Sequence, residues 1–405
     1  MSCEWMPKWL QFILEYGTQK NVSIPNYTVG AIYRLLQLLI LAYVVCWIFL
    51  YEKSYQMTDD AVTSVFSKVK GVGFTNFSEN SFYGKRVWDI YDLVVPPLEA
   101  NALFVVTNIV VTSNQSLSKC PEAYSSKESR CMTDSDCTPG YLNHVGNGAY
   151  SGKCIPIPGK TEGICEIHSW CPLENDTLPL GYGEPMFPMV ANFTMFIKAQ
   201  AAFEEFGVHR RNIMDWMTKD FLERCQYDGE HEKNKYCPVF KFSKIFEEAK
   251  VESKMLVMGG AIGIYINWDC DFDWNPDYCK PKYSFVRLHE KDAKISPGYN
   301  YRYAQYYYVD GKLHRDLYKV YGIRFLIQAR GQAGKFHMLP FTLALGSGIG
   351  WVGLASVICD IILTKIVKAR AFYDERTTET VSKEEEAEFI RKLLLDKMNK
   401  TTEKK

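Results

Sequence analysis

Two apolar stretches near the ends of this 405-residue chain limit what it can fold into more than any other feature. The first runs from Leu35 to Tyr51 (LLQLLILAYVVCWIFLY) and extends backwards through Val29-Gly30-Ala31-Ile32. The second runs from Leu339 to Leu363, with Asp360 as its only charge. Each is long enough to cross roughly 30 Å of hydrocarbon as a helix. Burial in a soluble core is the alternative, and two nearly uncharged runs of this length argue against it. The first does not read as a cleavable signal, because it starts after polar residues and no small-residue cleavage pattern follows. Lys365, Lys368 and Arg370 follow the second run, and Lys20 and Arg34 lie before or at the start of the first. That distribution predicts both termini in the cytoplasm. The expected plan is a cytoplasmic tail (1–28), a first span (29–51), an extracellular segment (52–335), a second span (336–366) and a cytoplasmic tail (367–405).

Cysteine placement agrees independently. Cys3 falls on the cytosolic side, and Cys46 and Cys359 sit in the apolar runs. The other ten, Cys120, Cys131, Cys137, Cys154, Cys165, Cys171, Cys225, Cys237, Cys270 and Cys279, all lie in the outer segment. An even set in an oxidising space predicts five disulfides, and no paired CxxC supports zinc instead. Asn76, Asn114, Asn175 and Asn192 head N-x-S/T sequons there, suiting glycosylated loops. Asn21, Asn26 and Asn399 match too but would be cytosolic and silent. The charge balance, 47 basic against 47 acidic residues, carries no global polyanion signature and gives no reason to expect nucleic acid.

The outer segment reads as mostly β. Leu103–Thr112 is a buried strand. Val62–Val72 alternates late, so that Lys68 and Lys70 share one face with Val69 on the other. Ala191–Ala199 places Thr194, Phe196 and Lys198 on one face, and Gly259–Trp268 reads as a central strand. Residues 119–171 hold six cysteines and read as a loop-rich, disulfide-stapled subdomain. Glu122, Asp134, Asp136, His144 and His168 lie in it. They could bind a modulatory divalent cation or simply remain solvated.

Tyr299–Gln328 (YNYRYAQYYYV-DG-KLHRDLYKVYGIRFLIQ) is a hairpin signal of the strong Asp-Gly type. Ideal pairing across Asp310-Gly311 sets Arg302 directly opposite Lys319, with Asn300 on the Arg302 face. Opposed like charges destabilise a sheet, so either both cations splay into water or an anion joins them. In the second run, Gly346, Ser347, Gly348, Gly350 and Gly353 allow close helix contact or a bending, pore-lining helix. Beyond it, Ser382-x-x-Glu385 is a capping box leading Phe389, Ile390, Leu393, Leu394 and Met398 into a short amphipathic helix. Thr18-Gln19-Lys20 is a candidate phosphorylation tripeptide of a kind common by chance.

At this point the residues resemble a known family, the P2X receptors, which are ATP-gated cation channels. The resemblance covers the chain to about Arg370. It rests on Leu38-Leu39-Ile40-Leu41-Ala42-Tyr43 with Glu52-Lys53-x-Tyr55-Gln56, and on Ser67-Lys68-Val69-Lys70-Gly71 and Asn192-Phe193-Thr194. It rests also on Asn267-Trp268-Asp269-Cys270, Ser296-Pro297-Gly298-Tyr299-Asn300, Tyr321-Gly322-Ile323-Arg324-Phe325, Gly334-Lys335-Phe336, Cys359-Asp360-Ile361-Ile362 and the ten outer cysteines. Among family branches the motifs look nearest to the fourth vertebrate subtype.

The resemblance implies an α+β membrane protein: two transmembrane helices flanking a large, disulfide-rich, mostly antiparallel β ectodomain, assembled as a homotrimer in the plasma membrane. It implies disulfides Cys120–Cys171, Cys131–Cys154, Cys137–Cys165, Cys225–Cys237 and Cys270–Cys279. ATP would be the ligand, with no required cofactor, and Na+, K+ and Ca2+ the permeant ions. Lys68, Lys70 and Thr194 of one subunit would meet Asn300, Arg302 and Lys319 of the next around ATP, with Phe196 beside the base and Lys198 on the same strand face as a further ATP-binding residue. Phe196 stands where the family usually has an aliphatic residue. In the second span, Leu343, Ala344 and Ser347 would form the constriction and Gly350 would lie further inward. Asp360 would either assist cation passage or make a structural hydrogen bond. The family's cytosolic Tyr-x-x-x-Lys signal is altered, since Thr377 follows Tyr373 in the lysine position.

Two other classes fit the two-span plan less well. An ecto-nucleotidase would need glycine-rich phosphate loops and acidic metal ligands, and Gly259-Gly260 lies in an apolar strand. The acid- or peptide-gated trimeric channels share the plan, but their motifs are absent. The chain is therefore expected not to be an enzyme.

Overall fold

The computed structural model describes residues 27–77, 83–96, 99–181, 183–288, 298–367 and Arg391. The N-terminal tripeptide, the sequons at Asn21, Asn26 and Asn399, Ser296-Pro297, the tyrosine signal at Tyr373 and the amphipathic helix after Ser382 lie outside the described residues. The chain divides into two units, Thr58–Lys335 and the segments on either side of it.

In the flanking unit, helix α1 covers Tyr27–Ala42 and continues as π-helical turns over Tyr43–Tyr51. Helix α2 covers Met338–Ile361 and continues the same way over Ile362–Ile366. Both are long and apolar enough to span a membrane. Helix α2 starts at Met338 because His337 is its N-cap, Nδ1 accepting from the Leu339 amide at 3.2 Å. The buried residues of α2 are small or sulfur-bearing up to Cys359: Ala344, Gly348, Ala355 and Cys359. Gly348 matters most, because a Cβ there would lie 3.0 Å from Val44 Cγ1. Val44 is the buried residue of the π-helical part of the first span. Close approach of two helices without a hydrophobic drive needs such positions. Trp47 stacks on Tyr51 at 4.7 Å, and Phe49, Tyr55, Phe336 and Phe341 form a linked ring cluster. Aromatic belts of this kind suit a membrane–water interface.

The other unit is built on β-sheets. Seven strands matter for the site: β1 (Val62–Lys70), β2 (Ala102–Pro121), β3 (Gly163–Cys171), β4 (Thr194–Phe203), β5 (Gly260–Asp271), β6 (Asn300–Val309) and β7 (Lys312–Phe336). The long β7 organises a nine-stranded sheet. One of its edges pairs antiparallel with β6 through Tyr321, then parallel with β5 from Ile323 onwards. Its other edge pairs antiparallel with β2. A strand paired on both sides and covered on both faces should be continuously apolar. Tyr318–Ile323 is indeed buried throughout, Lys319 included, and so is Ala102–Val110 of β2. A second sheet joins β1, β4, Val208–Arg211 and Val239–Lys241.

The core between these layers is rich in phenylalanine. Phe104, Phe187, Phe193, Phe203, Phe240, Phe242 and Phe325 are each at most 2% exposed. Phe325 of β7 stacks on Phe242 at 4.9 Å, and emptying a buried phenylalanine site costs about 3–5 kcal/mol.

Residues 119–171 contain more strand than a loop-rich reading predicts. The end of β2, Ala149–Pro156 and β3 pair there. Cys131, Cys137, Tyr150, Cys165 and Ile167 form a small core of their own. Disulfide-bonded cysteines replace the apolar mass that so short a segment lacks, and the bonds hold strands close enough to pair. The bonds join Cys120–Cys171, Cys131–Cys154, Cys137–Cys165, Cys225–Cys237 and Cys270–Cys279. The strand beginning near Ala191 starts only at Thr194, because Pro188–Asn192 turns as a 3-10 helix.

Candidate functional site

The hairpin supplies the first half of the site. Asp310 and Gly311 adopt φ of +48° and +75°, the left-handed pair that a two-residue turn needs. The strands leave it in the register the turn predicts: Val309 pairs with Lys312, Arg302 with Lys319, and Asn300 with Tyr321.

The opposed cations are neither splayed into water nor left alone. Arg302 Nε donates to both oxygens of Glu174, at 2.7 and 2.8 Å. Lys319 Nζ donates to Asp176 Oδ1 and lies 4.0 Å from Glu174. Glu174 and Asp176 come from the segment just after Cys171, which the Cys120–Cys171 bond ties to the end of β2. The Lys319 side chain is only 11% exposed, while that of Asp176 is 69% exposed. The Lys319 hydrogen bond holds the Asp176 carboxyl below the ordinary carboxylate range, against a weaker opposing effect of burial. Burial works to lower the Lys319 ammonium, yet its bonds to Asp176 and Tyr321 raise it above its usual value. Sequence reasoning foresaw the charge conflict but not these two acids. They lie far along the chain from the hairpin, and no local pattern marks them.

The second half lies on the β1–β4 pair. Lys70 faces Thr194 and Lys68 faces Phe196 across the strands. Phe66 faces Lys198. Lys68, Lys70 and Lys198 are exposed, whereas the intervening Val69, Met195 and Ile197 are buried in the core. Thr194 Oγ1 donates to the Lys70 carbonyl at 3.4 Å. The approach is close because Gly71 follows Lys70. A Cβ on Gly71 would lie 2.2 Å from Phe193 Cγ, so the Phe193 ring occupies the space a side chain would take.

Within one chain, then, Lys68, Lys70, Thr194, Phe196 and Lys198 share one strip. Asn300, Arg302 and Lys319 belong to another sheet. Among the described residues no hydrogen bond or ion pair joins the two groups. Among the described residues, one strip offers exposed ammonium groups with no carboxylate at ion-pair distance, and the other offers cations already paired with carboxylates. Together they could grip a polyanion such as a triphosphate only if two surfaces met around it.

The remaining candidates fall as follows. Asn76, Asn114, Asn175 and Asn192 are all exposed. The candidate metal ligands do not converge. Glu122 is buried and accepts from the amides of Ala123 and Asn147 and from the Asn147 side chain. Asp134 accepts from the Cys154 amide, and Asp136 caps Met132 and Thr133. Among the described residues the one cluster with ligand-like spacing is Cys131, Cys137 and Cys165, and disulfides already engage those sulfurs. On α2, Leu343, Ser347 and Gly350 share a face at helical spacing. Ala344 does not join them. It is buried on the Gly348 side, where the contact with Val44 lies. Ser347 Oγ donates back to the Ala344 carbonyl at 2.8 Å. The Asp360 side chain is exposed, and its backbone carbonyl accepts from Thr364 Oγ1 at 2.8 Å.

Comparison with known proteins gives one consistent result. Residues 14–380 match the family model described as ATP P2X receptor. Human P2X purinoceptor 5 is 41% identical over 373 residues, covering 91% of this chain and 82% of the relative. Mouse P2X purinoceptor 4 is likewise 41% identical over 370 residues, covering 90% and 93% respectively. The equal identities do not single out the fourth subtype. Among solved structures, a Gulf Coast tick P2X receptor crystallised with ATP and Zn2+ superposes with a TM-score of 0.73 at 39% identity, covering 82% of this chain and 99% of that one. The chicken P2X7 channel with TNP-ATP gives a TM-score of 0.67 at 32% identity, covering 83% and 100%.

Proposed function

The chain belongs to the P2X receptor family, and from that membership we propose that it is an extracellular ATP-gated cation channel, assembled from three copies in the plasma membrane with both termini cytoplasmic. Lys68, Lys70 and Thr194 of one copy, with Phe196 beside the base and Lys198 further along the same strip, face Asn300, Arg302 and Lys319 of its neighbour, and ATP binds between them. The observation that carries this reading is the in-register opposition of Arg302 and Lys319, held together by carboxylates that a triphosphate can replace. Phosphate oxygens accept charge-assisted bonds from the same donors, and bidentate geometry favours Arg302. Thr194 can meet the adenine through its hydroxyl and backbone.

Gating follows from where the clamp is mounted. Lys319 sits on β7, whose chain continues through Phe325 to Phe336 and, after His337, into α2. Drawing the two strips together pulls on that strand, and ATP shifts the equilibrium by as much as it prefers the closed jaw. Leu343, Ser347 and Gly350 offer small or neutral groups to a pore, so cations need pass no charged ring at the constriction. Asp360 lies further along the span as a candidate contact for permeant Na+, K+ and Ca2+. No step calls for catalysis or a cofactor. A modulatory divalent cation would need ligands other than the groups that do not converge above.

The test is whole-cell recording from cells expressing the chain. ATP should evoke an inward current that vanishes in Lys70→Ala and in Lys319→Ala at unchanged surface expression. Intact responses in both variants would overturn the site assignment.

A further inference from the structure

Along the outward face of β1 and β4, Lys70 faces Thr194, Lys68 faces Phe196, Phe66 faces Lys198, and Ser64 faces Gln200. Alternate residues share a face, so this strip continues past Lys68 through Phe66, which faces Lys198, to the neutral pair Ser64 and Gln200. A cavity of about 380 Å³ lies there, lined by Ser64, Phe66, Lys68, Phe196, Lys198 and Gln200. That volume falls within the roughly 300–1,000 Å³ of small-ligand clefts. It shares Lys68, Phe196 and Lys198 with the nucleotide site.

Its contents are unusual for a solvated strand face. Phe66 is 49% exposed. Lys68 Nζ lies 5.3 Å from the centre of the Phe66 ring. Among the described residues, Lys68 and Lys198 have no carboxylate at ion-pair distance. An open ring beside unpaired ammonium groups is complementary to an aromatic group carrying negative charge. The ring can stack, and the anion can take the lysine. Gln200 and Ser64 line the far end with neutral donors and acceptors.

We propose that this cavity is an aryl extension of the nucleotide site: Phe66 stacks an aromatic substituent on the adenine base, and Lys198 pairs with an acidic group on that substituent. The proposal rests on the nucleotide reading above. Phe66 thereby sets which adenine nucleotides the channel prefers, while the triphosphate clamp sets that a nucleotide binds at all.

The probes are ATP, ATP with a benzylthio group on purine C2, and the same compound with a carboxylate on the benzyl ring. All three leave the exocyclic amine free for Thr194. In the wild-type chain the benzylthio compound should activate at about fivefold lower concentration than ATP, the scale of one aromatic contact. The carboxylated compound should gain a further few-fold. Phe66→Ala should abolish both advantages while moving the ATP response by less than about twofold. Phe66→Tyr should keep them. An equal ranking of the probes in the wild type, or an unchanged advantage in Phe66→Ala, overturns the subsite. So does loss of the trimer in Phe66→Ala on native gels, which would make Phe66 a contact with a second copy. If ATP evokes no current from the wild type, the nucleotide reading fails and takes the subsite with it; an ATP current without aryl preference overturns the subsite alone.

Discussion

Asp176→Asn is the substitution with the clearest consequence. Lys319 donates to Asp176, and Arg302 holds both oxygens of Glu174. At the proposed site, ATP must displace these carboxylates before it can take the same donors. The Asp176 side chain is 69% exposed, so the pair belongs near the upper end of surface ion pairs, about 1 kcal/mol, rather than with buried ones. Removing the competitor should lower the cost of ATP entry by that amount and shift the ATP concentration–response curve about fivefold to lower concentration. Glu174, with a side chain only 22% exposed, should give at least as large a shift as Glu174→Gln. The double variant should fall short of the sum, because the two acids share both cations. Asp176→Glu keeps the charge and serves as the control for local disruption. The assay is current against ATP concentration, normalised to biotinylated surface protein. A rightward shift in Asp176→Asn would mean that the carboxylates build the ATP site instead of blocking it. No shift in either single variant would mean that the pairs are not exchanged for phosphate at all.

Three further outcomes are expected. The Asp176 carboxyl is depressed, so its contribution is present above the ordinary carboxylate range and is lost as pH falls through the lowered value. The Lys319 ammonium is raised, so its contribution is present below the ordinary lysine value and is lost only as pH rises through the higher one. The difference in thermal midpoint between wild type and Asp176→Asn should therefore stay flat from about pH 5 to 9 and shrink below about pH 4; a change near neutrality would contradict the pairing. In the spans, Gly348→Leu should sharply reduce assembled surface protein, because a Cβ already meets Val44 at 3.0 Å, whereas Gly346→Ala meets nothing within 4 Å and should be tolerated. Equal surface yields would refute the helix contact. Among the disulfides, Cys120–Cys171 spans 51 residues and Cys270–Cys279 nine, but the Cys137–Cys165 bond inside the first shortens the loop it closes to about 23 residues. Loop-closure entropy makes these worth about 3.4 and about 2.6 kcal/mol, and thermal denaturation of the solubilised protein with each pair replaced by serine should rank them in that order.

Much of this protein is decided by local pattern. Two nearly uncharged runs long enough for a bilayer, ten of thirteen cysteines in the segment between them, and basic flanks point to a two-span protein with an oxidised exterior. The Asp310-Gly311 turn fixes which residues of its two strands face each other, because a two-residue loop leaves one register, and period-two alternation puts Lys68 with Lys70 and Thr194 with Phe196. These are short-range consequences of backbone geometry and so can be read from adjacent residues.

Tertiary structure decides what surrounds them. Phe66 becomes the neighbour of Lys198 only because β1 pairs with β4, more than a hundred residues later. Glu174 and Asp176 reach Arg302 and Lys319 only because a disulfide and the β2–β7 pairing bring a distant loop to the hairpin. Ala344 separates from Leu343 and Ser347 because one face of α2 is filled by Val44. The conflict between Arg302 and Lys319 can be predicted from a turn and a register, but its resolution cannot. Counter-ions are chosen by proximity in space, and sequence spacing carries no information about that until the chain has folded.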